Sequence, residues 1–277
     1  MSGTLHLVGT PIGNLGDIGE RALQVLAAVD VVAAEDTRRT GRLLSHFGIR
    51  ARLVSFFEGN ERERTVELLA LLREGSDVAV VSDAGMPGMS DPGFRLVRAC
   101  ADDGIEVRVV PGPSAVIAAL VVSGLPTDRF VFEGFPPRKA GERRRRLAEL
   151  ATDPRTLVCF ESPHRVRTLL RDALVAFGDR RAALAREITK VHEQVLRGRI
   201  SDVLSQLGYD DPKGEIVVVF EGAAATEEPD QDELLEQVRA LVERGERKRA
   251  AAQHVARERG VSANDLYRAL LQADQKT

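Results

Sequence analysis

The sequence contains no tryptophan, two tyrosines and two cysteines in 277 residues. Cys100 and Cys159 lie in apolar, helix-like and strand-like stretches without paired spacing, which argues against a disulfide scaffold or a cysteine-ligated metal. His6, His46, His164, His192 and His254 show no ligand spacing either, so no catalytic metal is expected. The longest clean apolar run, residues 115–122, is far shorter than a bilayer requires, and residues 1–7 lack the order of a signal peptide. The expectation is a soluble, cytoplasmic protein. Charge of one sign is also scarce: 39 Lys and Arg against 42 Asp and Glu leave a net −3, so any contact with a polyanion must be local.

What is present is ordinary globular composition at a length that favours more than one domain. Short β-branched runs alternate with amphipathic stretches through residues 5–111. Examples are the strand-like 5–9, 31–35, 53–57, 77–83 and 106–111, and the helix-like 17–30, 37–48, 61–74 and 91–103. Such alternation predicts an α/β fold with a largely parallel sheet covered on both faces. Asp91-Pro92 reads as an N-cap followed by proline in the first helical position. A second round follows residues 124–126, with strands at 130–135, 156–161, 182–187, 191–200 and 215–221 and helices at 143–151 and 164–177. The last two of these strands lack a long helix between them, which predicts mixed pairing. The expected organisation is an α/β domain over 1–124, a second over 125–222, a polar linker over 223–231, and a small helix-turn-helix-like α domain over 232–277. Its helices are expected at 232–243, 247–259 and 264–272.

In open α/β sheets ligands gather beyond the carboxyl ends of the strands, and here those loops are rich in Gly, Pro and small polar residues. Gly9, Gly13 and Gly16 do not make the dinucleotide fingerprint, and Pro11 removes a backbone donor that a pyrophosphate would use. No P-loop lysine follows. The loop over 82–93 combines permissive glycines with stiffening prolines, a combination suited to close approach by a ligand.

Several blocks occurring in order carry a resemblance: Thr10 to Leu15 (TPIGNL), Ala34 to Arg38 (AEDTR), Val81 to Gly85 (VSDAG) with Asp91 to Gly93 (DPG), Pro111 to Pro113 (PGP) and Gly134 to Pro136 (GFP). Glu161-Ser162, His164-Arg165, Ala185 to Glu187 with Thr189-Lys190, and Lys213 to Glu215 continue it. On these residues the chain resembles the tetrapyrrole methylase superfamily, specifically the bacterial 16S rRNA (cytidine) 2′-O-methyltransferases. Met86 and Phe160 depart from that pattern, at the wall of the expected cofactor pocket. The resemblance implies two α/β domains with a cleft between them, a homodimer, and S-adenosylmethionine as donor. It implies donor contacts at Ser82, Asp83, Ala84, Gly85, Met86, Ser114, Ala115, Phe160, Glu161, Gly214 and Glu215, with Pro11 at the entrance.

A sulfonium methyl is already electrophilic, so alignment is the protein's main task, but a ribose hydroxyl benefits from a base and a nearby cation. The candidates are Asp36 or Glu187 for the proton and Arg38 or Lys190 for phosphate or ribose. For RNA, Arg138, Lys139, Arg143, Arg144, Arg145 and Arg146 against Glu142 make a local net of +5. Arg247, Lys248 and Arg249 lie in the C-terminal region, where seven basic and three acidic residues over 244–272 leave +4. Leu266 with Leu270, and Tyr267 with Leu271, are expected as core pairs. The expected function is methylation of a cytidine ribose in 16S rRNA within the small ribosomal subunit. A methylase of tetrapyrroles or other small molecules, and a DNA-binding regulator with a ligand-sensing α/β portion, are the alternatives.

Overall fold

The structure, a computed structural model, describes residues 2–208, 211–224 and 231–274. They fall into two compact units, Met1–Ala223 and Ala224–Thr277.

The first unit holds two five-stranded sheets. The first sheet consists of β1 (Leu5–Val8), β2 (Val31–Ala34), β3 (Leu53–Ser55), β4 (Val78–Val81) and β5 (Val107–Val110), in the order β3-β2-β4-β1-β5. All its pairings are parallel. The helices α1 (Glu20–Ala28), α2 (Thr37–His46), α3 (Glu61–Arg73) and α4 (Phe94–Asp102) connect the strands. Every residue of β2 and β4 is buried, because alternate side chains enter two cores. Ala33 and Val80 pack with Leu68, Leu72 and Leu96 on one face, while Ala34 and Val81 pack with Leu26 and Leu44 on the other. Parallel pairing brings the carboxyl ends of all five strands to one edge.

The second sheet consists of β6 (Phe130–Gly134), β7 (Thr156–Glu161), β8 (Arg181–Arg186), β9 (Gln194–Arg199) and β10 (Ile216–Phe220), in the order β6-β7-β10-β8-β9. Only β6 and β7 are parallel; β7–β10, β10–β8 and β8–β9 are antiparallel, the mixture expected. Beside it lie α5 (Ala115–Ser123), α6 (Ala140–Leu150), α7 (Val166–Phe177) and α8 (Ile200–Gln206). The apolar run at 115–122 is α5. Its Val116, Ala119 and Leu120 follow the first sheet in sequence yet pack on Val158, Ala183 and Val217 of the second.

One local expectation is corrected. Asp91 does not cap α4, which starts at Phe94 with Gly93 as its N-cap. The Gly93 N–H donates to Glu61 Oε1 at 3.0 Å, leaving Asp91 for the cleft described below. The strands at 194–199 and 216–220 are separated by no long helix, only by the seven-residue α8.

The second unit contains α9 (Gln231–Glu243), α10 (Lys248–Arg259) and α11 (Ala263–Asp274). Leu234, Val238, Ala252, Val255, Leu266 and Leu270 form its core, with Tyr267 packed against it. The Asp265 N–H donates to Ser262 Oγ at 3.4 Å, one half of a capping box at the start of α11. Most of the expected linker, residues 225–230, lies outside the described residues.

Candidate functional site

A cavity of about 370 Å³ opens between the strand ends of the first sheet and the second sheet. Ten expected donor contacts line it: Asp83, Ala84, Gly85, Met86, Ser114, Ala115, Phe160, Glu161, Gly214 and Glu215. Pro11 and Ser82 instead line a neighbouring concavity of about 420 Å³, which shares Arg39 and Asp83 with the first. The first loop is stitched to the β4 loop: Thr10 N–H donates to the Gly85 carbonyl at 2.9 Å, and Gly85 N–H returns a bond to Thr10 at 3.2 Å. Gly85 holds φ +91°, a conformation that glycine adopts without strain. The Thr10 and Gly85 backbone groups are thereby engaged with each other rather than open to a phosphate.

Carboxylates dominate the cavity. Glu35, Asp83, Asp91, Glu161 and Glu215 line it, with Arg39 the one cation among the described lining residues. Glu35 Oε2 accepts from Asp83 N–H at 3.2 Å, Asp83 Oδ1 accepts from Asp36 N–H at 3.0 Å, and Asp83 Oδ2 faces Arg39 Nη1 at 3.3 Å. Burial, with the charge of Glu35, pushes the Asp91 carboxyl up to about 6, partly opposed by the Ser82 hydroxyl. Glu161 is buried; it accepts from Ser162 N–H at 2.8 Å and pairs with Arg165 at 2.9 Å. This field suits a cationic ligand and opposes a pyrophosphate. At the same cavity Ser114 caps α5, accepting from Ile117 N–H at 3.5 Å, so the positive end of a helix dipole faces the site.

The four expected catalytic residues form two separate ion pairs, neither of which lines this cavity. Asp36 caps α2 by accepting from Arg38 N–H at 2.8 Å and pairs with the Arg38 guanidinium at 2.9 Å. These bonds hold its carboxyl at about 2, which makes it a weak base. Glu187 accepts from Lys190 Nζ at 2.7 Å and from Glu215 N–H at 2.9 Å, and both bonds hold its carboxyl below the usual range. Lys190 reaches Glu215 at 3.2 Å. Gly214, at φ +95°, leaves the space the Glu187 carboxyl fills; a Cβ there would collide with it. Glu187 and Lys190 thus clamp the 213–215 turn through these bonds.

The basic run on α6 is largely neutralised within the fold. Arg143 is corrected outright: it is 4% exposed, donates to the Pro137 and Arg138 carbonyls and pairs with buried Asp172 at 2.7 Å. Arg144 shares Asp172 at 3.0 Å, Arg146 pairs with Glu133 and Glu149, and Lys139 with Glu142. Arg138 and Arg145 carry no ion pair among the described residues and remain candidates for phosphate. In the second unit, Arg247 precedes α10, and Lys248 and Arg249 open it.

Sequence reasoning missed Asp91 and Arg39 as cavity residues. The signal for Arg39 was present: Arg39, Arg42, Leu43 and His46 fall at i, i+3, i+4 and i+7, one face of a helix.

Residues 4–204 match the model of the Tetrapyrrole (Corrin/Porphyrin) Methylases. A protein named Ribosomal RNA small subunit methyltransferase I from Synechocystis sp. is 44% identical over 275 residues, 98% of this chain and 99% of the relative. A protein of the same name from Thermotoga maritima is 52% identical over 220 residues, 79% of this chain and 99% of that relative. Of solved structures, uroporphyrin-III-C-methyltransferase from Thermus thermophilus is similar at a TM-score of 0.57 and 27% identity, over 78% of this chain and 94% of that one.

Proposed function

The chain belongs to the tetrapyrrole methylase family, among relatives named ribosomal RNA small subunit methyltransferase I, and from that premise we propose that it methylates a ribose 2′-hydroxyl of a cytidine in 16S rRNA. The donor is S-adenosylmethionine. The observation that carries this reading is the acidic cavity at the strand ends, in a chain similar along 98% of its length to an rRNA methyltransferase.

The cavity fits that donor chemically. A sulfonium and an α-ammonium are positive, and Glu35, Asp83 and Asp91 would hold them; the donor's carboxylate would meet the N-terminus of α5 at Ser114 and Ala115. Phe160, Ile188 and Val217 offer apolar wall to an adenine. When bound, the donor supplies an electrophilic methyl. This chain's residues would supply the rest: Asp83 would accept the hydroxyl proton as the oxygen–methyl bond forms and the methyl–sulfur bond breaks to leave a neutral thioether, and Arg39 beside it would steady the developing negative charge. Asp83 suits the role better than Asp36, because it lines both concavities, whereas both carboxylate oxygens of Asp36 are engaged by the Arg38 guanidinium.

Arg138, Arg145, Arg247 and Arg249 contribute contacts to phosphate, which position the RNA without reading its sequence. The resemblance further supports a cytoplasmic homodimer acting on the small subunit, and among the described residues no helix is long and apolar enough to cross a membrane. Incubation with methyl-labelled donor, unmodified 30S subunits and, separately, a tetrapyrrole tests the reading. Label in 16S rRNA is the expected result; label in the tetrapyrrole alone overturns it.

A further inference from the structure

The 420 Å³ concavity beside the donor cavity is not accounted for by donor binding. Its volume lies within the roughly 300–1,000 Å³ typical of small-ligand sites. One wall is the face of α2 that carries Arg39, Arg42, Leu43 and His46; the other is the first loop, with Pro11 and Leu15. Leu15 is 42% exposed, an apolar side chain left open to solvent at the rim.

The charges on this helix are unequal in their partners. Arg38 is neutralised by Asp36 and Arg39 faces Asp83, whereas Arg42 has no ion pair among the described residues. The lining thus divides into apolar surface at Pro11, Leu15 and Leu43 and a cationic side at Arg42, with His46 one helical turn further on. An unstacked nucleotide has the matching division, a flat apolar base face and an anionic phosphate. The position matches as well. Arg39 and Asp83 line both hollows, so a sugar between base and phosphate would meet the donor cavity at that pair.

We propose that this concavity seats the target nucleotide, flipped out of its RNA, with the base against Pro11, Leu15 and Leu43 and the adjoining phosphate on Arg42 and His46. The inference rests on the rRNA-methylation reading and adds to it the seat of the acceptor. It assigns the grip on RNA nearest the chemistry to Arg42 rather than Arg38.

The test uses the full chain and three variants: Arg42→Ala, His46→Ala, and Leu43→Trp to fill the hollow. Calorimetry with S-adenosylhomocysteine should give affinities within about twofold of wild type for all three, which also reports folding. Arg42→Ala should raise KM for 30S subunits about tenfold or more, the scale of a lost charged hydrogen bond, with kcat within about threefold. His46→Ala should raise KM several-fold, and Leu43→Trp should abolish labelling. Arg42→Ala and Leu43→Trp proteins that bind S-adenosylhomocysteine normally and methylate with wild-type KM and kcat overturn the proposal.

A second readout separates this inference from the reading beneath it. Cytidine 5′-monophosphate, titrated by NMR into the S-adenosylhomocysteine complex, should shift α2 amides around Leu43 and His46, and Arg42→Ala should weaken that binding. Such shifts without any labelling of 30S subunits would leave the nucleotide seat standing and overturn the rRNA reading. Labelling of 30S subunits, with the nucleotide binding elsewhere and indifferent to Arg42, would do the reverse.

Discussion

Asp83 Oδ2 lies 3.3 Å from Arg39 Nη1, and these two residues line both the donor cavity and the concavity beside it. A carboxylate at that junction is placed to take a proton from an incoming hydroxyl. Asp83→Asn preserves an acceptor for the Asp36 N–H but not the basicity. The expected loss in kcat is about 10²–10⁴-fold, the usual worth of a positioned base, while Asp36→Asn should change kcat less than about threefold. An Asp83→Asn enzyme retaining a third of wild-type kcat would rule out the assignment.

Asp91 should make donor binding pH-dependent. Burial first, and Glu35 second, raise its carboxyl to about 6, so the group is largely protonated at pH 5 and ionised at pH 7. A cationic donor favours the ionised form, so affinity should be about tenfold weaker at pH 5 than at pH 7. Asp91→Asn should flatten that dependence. The same shift acts on the free protein with the opposite sense: stability from protonated Asp91 is full below the unfolded value near 4 and is lost as pH rises through about 6. Calorimetry across this range checks both; a pH-independent affinity in wild type contradicts the assignment.

The Glu187–Lys190–Glu215 clamp should register in stability rather than chemistry. Glu187→Ala leaves Lys190 with one carboxylate and the Glu215 N–H without its acceptor, at a cost of about 1–3 kcal/mol, or a Tm lower by several degrees. Because its bonds hold the carboxyl of Glu187 below the usual range, this contribution is present at neutral pH and is lost as pH falls below that range. A Glu187→Ala protein of normal Tm and collapsed kcat would restore Glu187 as a catalytic candidate.

Much of this was legible in the sequence, for identifiable reasons. β2 and β4 read as continuous apolar runs because both faces of a parallel sheet are covered, and the loops that line the cavity announced themselves by small residues at strand ends. Asp91 was obscured because Asp-Pro is also a good helix start, and only the bond from Gly93 to Glu61 shows that the helix begins later. Arg143 was obscured because counting charge along a run cannot see Asp172, 29 residues away and buried beneath it.

That distinction gives a paired prediction. Arg143→Ala leaves the buried Asp172 carboxylate with Arg144 as its remaining cation and should cost about 1.5–3 kcal/mol, measured by denaturant unfolding. Arg138→Ala and Arg145→Ala should leave unfolding unchanged but weaken 30S binding, each lowering the slope of log K against log salt by about 1. Unchanged salt slopes would remove the segment over 138–145 from the RNA interface.

The central claim is settled most directly by the identity of the methylated nucleoside. Unmodified 30S subunits, treated with the protein and S-adenosylmethionine, are digested to nucleosides and resolved by mass spectrometry. The account expects one new species, a cytidine carrying its methyl on the ribose, absent when Asp83→Asn replaces wild type. A methyl on a base, or no new nucleoside in 16S rRNA, contradicts it.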